Sequence, residues 1–448
     1  MENNLDTDQI KELVWRLAFP SMLAQFVSVF YSIVDRMYIG NIAEIGDLAL
    51  AGVGICGPIV TMISSVAFWV GIGGSPLLSI RLGQKNETKA KEILANCFLL
   101  LSVMSVVITI LSLALKNQLL IWFGASPAVF PYADDYITIY LMGTVFALLS
   151  TGMNQFIICQ GFAKVGMKSV LLGAVLNIIL DPIFIFGFHM GVSGGALATV
   201  ISQMASCIYV LRFLFSSRPM IRITFGGYDF KVMGQVLLLG LTPFLIIAFD
   251  NILIISLNAT IQKYGGAGQG DMLLTCNTIL QSFMLIVTMP LSGITGGTQT
   301  ILGYNYGAKR PDRIKKAQKH ILALSLAFTT IMFVAAQFLP QYFTLIFTRD
   351  PEYIQMTVRA IRIYSLMIIP LAVQYTIVDG FTGMGIAKVA ISLSTFRKLI
   401  YFAGVFLIPV WFDITNVFYT EPISDLISAI VSSIVYVLLI GRIEDGRL

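Results

Sequence analysis

The chain has 448 residues, 57% of them hydrophobic and 12% charged, with 29 Lys and Arg against 24 Asp and Glu. Soluble domains carry about 25% charged residues; half that density leaves too little polar surface to cover a fold of this size in water. Disordered, collagenous, coiled-coil and disulfide-scaffold classes are excluded on composition, which with a mean hydropathy of +0.84 leaves an all-α polytopic membrane protein.

A lipid-spanning helix needs roughly 20 apolar residues. Twelve stretches qualify, at 13–39, 49–72, 92–115, 132–156, 167–187, 192–213, 232–257, 272–300, 320–340, 356–380, 389–410 and 423–441. The opening MENNLDTDQI is acidic and polar and lacks the positive region of a secretory signal, so the first span is expected to be an uncleaved anchor.

Span 1 holds Pro20, Asp35 and Arg36, and span 2 holds Gly52-Val53-Gly54-Ile55-Cys56-Gly57. That run fits GxGxxG, but a dinucleotide fingerprint needs a strand before it; within a membrane span, close helix packing is the better reading. The following inner loop, 81–91, is basic. Its Asn86-Glu87-Thr88 sequon falls on the cytoplasmic side and should stay unmodified. In span 5, Asn177 and Asp181 are four apart and share one helix face. Pro182 follows and removes a backbone hydrogen bond there, leaving a free carbonyl beside a carboxylate and an amide, the oxygen ligands of a proton or hard cation. Segment 214–231, with Pro219, Gly226 and Gly227, reads as a cytoplasmic linker. Span 7 holds Pro243 and Asp250; loop 307–319 is basic; span 10 holds Tyr375 and Asp379 on one face.

Carboxylates inside spans are costly and functional by default, which singles out Asp35, Asp181, Asp250 and Asp379. Counting rise along the helices places Asp181, Thr199 and Asn154 near the midplane, and Asp35 nearer the outer side. Arg36 is expected to reach the outer interface.

Lys and Arg fix orientation. With the N-terminus inside, inner segments hold 23 of them, from Lys11 to Arg447, and outer segments hold five: Lys116, Lys263, Arg349, Arg359 and Arg362. Both termini are therefore expected in the cytoplasm, and the number of spans is even. The expected location is the cell's inner (plasma) membrane.

The halves repeat. Pro20 pairs with Pro243 and Gly73-Gly74-Ser75 with Gly296-Gly297-Thr298 at an offset of 223; Asp35 pairs with Asn258 at the same offset; Gly83-Gln84-Lys85 pairs with Gly307-Ala308-Lys309 at 224; Phe162 and Gly166 pair with Phe381 and Gly385 at 219. This implies two six-helix halves related by a pseudo-two-fold axis along the membrane normal, with substrate sites between or within them. The expected division is 1–213, linker 214–231 and 232–448. The five cysteines and the histidines His189 and His320 are scattered; they predict no metal site, no disulfide framework and no cofactor. No P-loop and no nucleophile–base pair is present, so no enzyme activity is expected.

Asn177-Ile-Ile-Leu-Asp181-Pro182, then Gly191-Val-Ser-Gly-Gly-Ala-Leu-Ala-Thr199, together with Val34-Asp35-Arg36-Met37-Tyr38-Ile39-Gly40 and the duplicated glycine-lysine loops, resemble the multidrug and toxic compound extrusion (MATE) family, most closely its bacterial DinF/MepA-like branch. The resemblance spans nearly the whole chain. It implies an antiporter exporting organic cations and drugs in exchange for H+ or Na+ by alternating access. It also implies an N-lobe cation network of Asp35, Asn154, Asn177, Asp181 and Thr199. In another branch of the family a helix-7 acid with a Tyr and an Asp of helix 10 forms a second cation site; Asp250, Tyr375 and Asp379 are its counterparts, with an Asp in place of Glu. Expected partners are small organic cations and membrane lipid, with no nucleic acid, and the chain is expected to work as a monomer. Proline kinks at Pro20, Pro182, Pro243, Pro290 and Pro370 would allow bending, and aromatics and methionines would line the pocket. Two other classes stay open: a flippase of lipid-linked sugars, which would need several cavity arginines, and another twelve-helix secondary transporter of the major-facilitator type.

Overall fold

Apolar runs of this length can satisfy their backbone N–H and C=O groups in lipid only as helices. In the computed structural model the described residues form helices and connections, with no strand among them. Described are all residues except 1–3, 41, 43–44, 124, 126, 128, 266–268, 348 and 445–448; Arg447, counted with the inner charges, lies outside the described residues. The first half comprises α1 (Ile10–Gly40), α2 (Gly46–Gly83), α3 (Glu87–Trp122), α4 (Phe130–Met142), α5 (Thr144–Ile158), α6 (Ala163–Pro182) and α7 (Val192–Phe215). The second comprises α8 (Phe230–Gly265), α9 (Gln269–Gly307), α10 (Pro311–Phe338), the short α11 (Pro340–Thr344), α12 (Pro351–Tyr364), α13 (Ile368–Gly383), α14 (Ala387–Trp411) and α15 (Thr420–Glu444). Among the described residues ten segments are long and apolar enough to cross a membrane, and the bent pairs α4–α5 and α12–α13 bring the number to twelve.

Those two pairs correct the expectation of unbroken spans at 132–156 and 356–380: they bend by 55° and 48°. At the first corner a Cβ on Gly143 would stand 2.4 Å from a methyl of Val200, so only glycine lets the corner lie on α7. The second corner falls at Ser365–Met367, just before Pro370, whose missing N–H is tolerated in the first turn of α13. Gly143 and Leu366, the corner residues, are 223 apart. The duplication thus extends to the breaks.

It also extends to single dihedrals. Lys85 and Lys309 are both left-handed, at φ 57° and 56°. Asn86 N–H donates to Arg81 O, and Arg310 N–H to Asn305 O, at 2.9 Å in both cases; each closes its helix in a Schellman-type turn. Gly161 (φ 90°) and Gly385 (φ 78°) do the same after α5 and α13. All of these pairs are 224 apart. The sequence pairing of Phe162 with Phe381 at 219 is therefore corrected: Phe162 corresponds to Ile386, whose N–H donates to Phe381 O as that of Phe162 does to Ile157 O. Asn86, the sequon residue, caps α3 by accepting from Lys89 N at 3.1 Å.

The halves meet where α1 packs on α9, α2 on α8 and α2 on α9. Backbone approaches there are close. A Cβ on Gly240 would stand 1.7 Å from Trp69 O, and one on Gly73 would stand 2.2 Å from Val236 O. Trp69 Nε1 donates to Leu237 O at 2.8 Å, and its ring stacks on Phe244. These contacts all fall in the half of the bundle that carries the N-terminal segment. That segment is itself tied across the halves. Asp6 pairs with Arg310 at 2.5 Å, Arg313 donates to Leu5 O and Asp8 O, and Leu5 is buried. Arg310 and Arg313, two of the basic residues of loop 307–319, thus bind this strap. Residues between α7 and α8 run along the first half: Ile221 N–H donates to Gln160, and Asn96 holds Gly227 O and Asp229 N–H.

Candidate functional site

Span 5 does not end cleanly at its Asp-Pro. Pro182 cannot donate a backbone hydrogen bond, and beyond it Ile183–Gly187 adopts a π-helix, the wide turn that recurs at functional sites. One turn below, Asn177 Nδ2 donates to Asp181 Oδ1 at 3.1 Å and reaches Thr199 Oγ1 on α7 at 3.4 Å. Thr199 Oγ1 donates back to Gly195 O at 3.0 Å. From α1, Asp35 brings its carboxyl within hydrogen-bonding reach of that of Asp181. Both are buried, Asp181 completely. Asp35 Oδ1, Asp181 Oδ2 and Asn177 Oδ1 are buried and without a hydrogen-bond partner. Two carboxyls with spare, dehydrated oxygens beside an amide and a hydroxyl make a set of hard oxygen ligands suited to a proton or an alkali cation. Arg36 is exposed, on a different face of α1 from the buried Asp35.

Four of the five N-lobe residues expected to form one network therefore meet: Asp35, Asn177, Asp181 and Thr199. Asn154 stands apart. Its Nδ2 donates to Gly166 O at 3.4 Å, at the start of α6, eleven residues before Asn177 and so about 16 Å away along the helix. Ten residues of rise from Lys164 would put it at the midplane. The chain instead reverses at Gly161, and Asn154 is only four residues from the end of α5. Likewise Asp35 and Thr199 lie five and seven residues from the helix ends Gly40 and Val192, so the carboxyl pair lies toward the end opposite the strap rather than midway.

Asn154 at one end and Asn177 and Thr199 at the other line one cavity of about 1250 Å³, counting its mouth, between α1, α2, α5, α6, α7 and α9. The expected aromatic and methionine lining is not what the wall shows. Tyr31, Phe68 and Met167 contribute, but 14 of the 26 lining residues are Ser, Thr, Asn or Gln, and no charged side chain lines the cavity among the described residues. The sequence signal was the run of small polar residues on α1 and α7, Ser21, Gln25, Ser28, Ser202, Gln203 and Ser206, which recur at helical spacing.

The second expected acid set is more dispersed. Asp250 forms an ion pair with Lys398, and Asp379 accepts from Thr295 Oγ1 at 2.5 Å. Tyr375 lies within electrostatic reach of both. Next to it is a charge cluster that the span boundaries do not signal: Arg397 donates to Glu421 at 2.5 Å and to Asp425 at 2.7 Å, and all three are buried. The positive-inside count assigns Arg397 and Lys398 to the cytoplasmic side; the structure instead pairs both with acids of neighbouring helices. The available signal was Asp425 inside 423–441 opposite Arg397 inside 389–410. The count of four intramembrane acids is corrected accordingly. All five cysteines are free and buried.

A doubled bundle of membrane spans, clasped at one end around a polar cavity with buried carboxyls, is the build of a secondary transporter. The MatE family model matches residues 20–183 and 247–407, well over half of the chain, and the chain belongs to that family: it is a multi-pass membrane transporter and not an enzyme. Among curated relatives, it is 21% identical over 451 residues to the multidrug export protein MepA of Staphylococcus haemolyticus, covering 99% of this chain and 96% of that protein. It is 25% identical over 355 residues to an FAD transporter of Shewanella oneidensis, covering 77% and 76%. Among solved structures, the outward-facing conformation of a multidrug resistance MATE family transporter of the MOP superfamily superposes with a TM-score of 0.91 at 21% identity, covering 98% of each chain.

Proposed function

We propose that this chain is a secondary active antiporter that exports small organic solutes, drugs and organic cations among them, in exchange for H+ or Na+ by alternating access. The observation that carries the reading is the Asp35–Asp181 carboxyl pair, buried with Asn177 and Thr199 at one end of the interhelical cavity. Two bare carboxylates side by side away from water repel one another, and one bound cation removes the repulsion. Occupancy of the pair is thereby linked to how the helices around it pack. The relatives named for multidrug export and FAD transport support a small-molecule substrate.

The conformation supports the direction. The excess of Lys and Arg on the inner segments favours cytoplasmic termini, so the clasped end faces the cytoplasm and the carboxyl pair lies toward the outside. A cation entering from outside would fill the pair, favour release of solute outward, and be carried in as the clasp opens. Each charge moved inward gains about 2.3 kcal/mol per 100 mV. We treat 1–213 and 232–448 as the two lobes that move, joined by 214–231, and a single copy, which contains the whole cavity, as sufficient. Asn154 is assigned to the solute end of the cavity. Asp250, neutralised by Lys398, and Asp379, engaged by Thr295, are assigned to packing of the second lobe rather than to coupling.

The test is efflux of ethidium from proteoliposomes under an imposed proton or sodium gradient. Asp181→Asn should abolish gradient-driven exchange while leaving the amount and folding of the protein unchanged. Undiminished exchange in that variant would overturn the assignment.

A further inference from the structure

We infer that the connection between α7 and α8 is a binding surface for anionic lipid headgroups, with Arg218 and Arg222 taking the phosphates and Phe225 seated at the edge of the acyl chains. The segment is held rather than slack. Its burial alternates: Pro219, Ile221 and Ile223 are buried, while Arg218, Met220 and Arg222 are exposed. That period of two gives the chain one side for the protein and one for its surroundings. Hydrogen bonds to the first half fix the inward side. Ile221 N–H donates to Gln160 Oε1 at 2.7 Å, Ile223 N–H donates to Leu214 O at 3.0 Å, and Asn96 Nδ2 donates to Gly227 O at 3.0 Å.

What the outward side meets follows from its neighbours. In the last two turns of α7, Ile208, Arg212 and Phe215 are exposed at i, i+4 and i+7, one face of the helix, which on a membrane span is the lipid face. Phe225, 74% exposed, stacks on Phe215 with ring centroids 6.0 Å apart and meets Phe98 of α3 edge-on at 6.4 Å. The connection thus carries an exposed ring onto the inner end of the lipid-facing surface. A soluble partner would have to displace lipid from Phe215 to reach it. Charge names the lipid. Arg212, Arg218, Arg222 and Lys231 are exposed and form no ion pair among the described residues. The acids beside the connection are engaged elsewhere: Glu92 pairs with Lys89 at 2.7 Å, and Asp229 accepts from Lys231 N–H at 2.8 Å. Basic residues around an apolar foot bind an interface through buried area plus attraction to anionic lipid, and the guanidinium fork matches phosphate.

The test uses the full chain in phosphatidylcholine bilayers, with a bimane fluorophore attached at Met220→Cys; the five native cysteines are buried. Quenching is titrated with phosphatidylglycerol or phosphatidylcholine carrying a nitroxide near the top of the acyl chain. Half-quenching should need at least about 10-fold less of the phosphatidylglycerol, since each basic residue near an anionic surface contributes about 5-fold. Arg218→Gln with Arg222→Gln should bring the two lipids within about 2-fold of each other, and Arg218→Lys with Arg222→Lys should keep most of the preference. Phe225→Ser should weaken quenching by both lipids. Equal quenching by the two lipids with both arginines in place overturns the inference. So does displacement of phosphatidylglycerol by inorganic phosphate but not by chloride at the same ionic strength, which would make the site one for a free anion. A fluorophore that neither lipid quenches also overturns it and leaves the surface to a soluble partner.

Discussion

Gly83 of α2 and Gly307 of α9 cross backbone against backbone, each occupying the space the other helix needs. A Cβ on Gly83 would lie 1.9 Å from Tyr304 O, and one on Gly307 would lie 2.0 Å from Ile80 O. Gly83 and Gly307 are 224 residues apart, as are Ile80 and Tyr304, so the two contacts are one contact repeated by the pseudo-two-fold axis. Such approaches are available only to glycine. Gly307→Val should therefore force α2 and α9 apart at the strap end. Ser79, fully buried beside Gly303, reports on this. A cysteine placed there (Ser79→Cys) should react with a maleimide several-fold faster in the Gly307→Val background. Unchanged reactivity would mean that the crossing is not the seal.

The strap at the same end offers a second handle, and magnitudes decide which part of it matters. The Asp6–Arg310 pair is partly exposed, with side chains 30% and 41% accessible, and a pair of that kind contributes about 0–1 kcal/mol. Leu5 is 1% exposed, and burying a leucine contributes about 1.5–3 kcal/mol. Leu5→Asp should thus loosen the clasp more than Asp6→Asn. With the same Ser79→Cys reporter, labelling should rise strongly for the first variant and weakly for the second. The reverse order would make the ion pair the principal latch.

Much of this was legible in the sequence because the repeat is written in residues whose backbone role is fixed: Gly83 and Gly307 at a crossing, Lys85 and Lys309 in left-handed turns, Pro20 and Pro243 within the first helix of each half. The pairing of Asp181 with Asn177 was legible because four residues is one helical turn. The position of Asn154 was not, since the turn at Gly161 carries no signal of how much of the intervening chain rises. The buried Arg397 was hidden by a rule that assigns positive charge to the cytoplasm and takes no account of a partner on the next helix. The repeat also shows where the second half departs from the first. Counting 224 from Asn177 and Asp181 leads to Tyr401 and Val405 on α14, and Asp35 is matched by Asn258, which accepts from Asn277 at 3.0 Å. The second lobe keeps the helices and has lost the carboxyl pair.

The separation of Asn154 from the carboxyl pair predicts separable phenotypes. Asn154→Ala removes a solute-facing amide whose partner, Gly166 O, lies fifteen residues, about 22 Å along α6, before Asp181, and should raise KM for the exported solute, with the ratio of cations to solute unchanged. Asp181→Asn should abolish the dependence on the gradient. Measuring initial efflux rates over a range of solute concentrations, with and without the gradient, checks both. Loss of gradient dependence in Asn154→Ala would join the two ends into one site.

The Arg397–Glu421–Asp425 cluster makes the clearest stability prediction. One guanidinium faces two carboxyls, and Asp425 Oδ2 is buried with no partner, so the cluster holds more acid than base. Removing the base leaves both acids buried and uncompensated, a change that costs about 3–5 kcal/mol in comparable buried pairs. Removing one acid leaves Arg397 still bound, at 2.5 Å, to Glu421. Arg397→Met should therefore lower the thermal unfolding midpoint in detergent markedly, and Asp425→Asn much less. Replacing all three by apolar residues of similar volume should recover most of the loss, since a buried ion cluster balances its attraction against desolvation. If Asp425→Asn is as damaging as Arg397→Met, the second carboxyl holds more than the arginine, and the excess acid serves something other than packing.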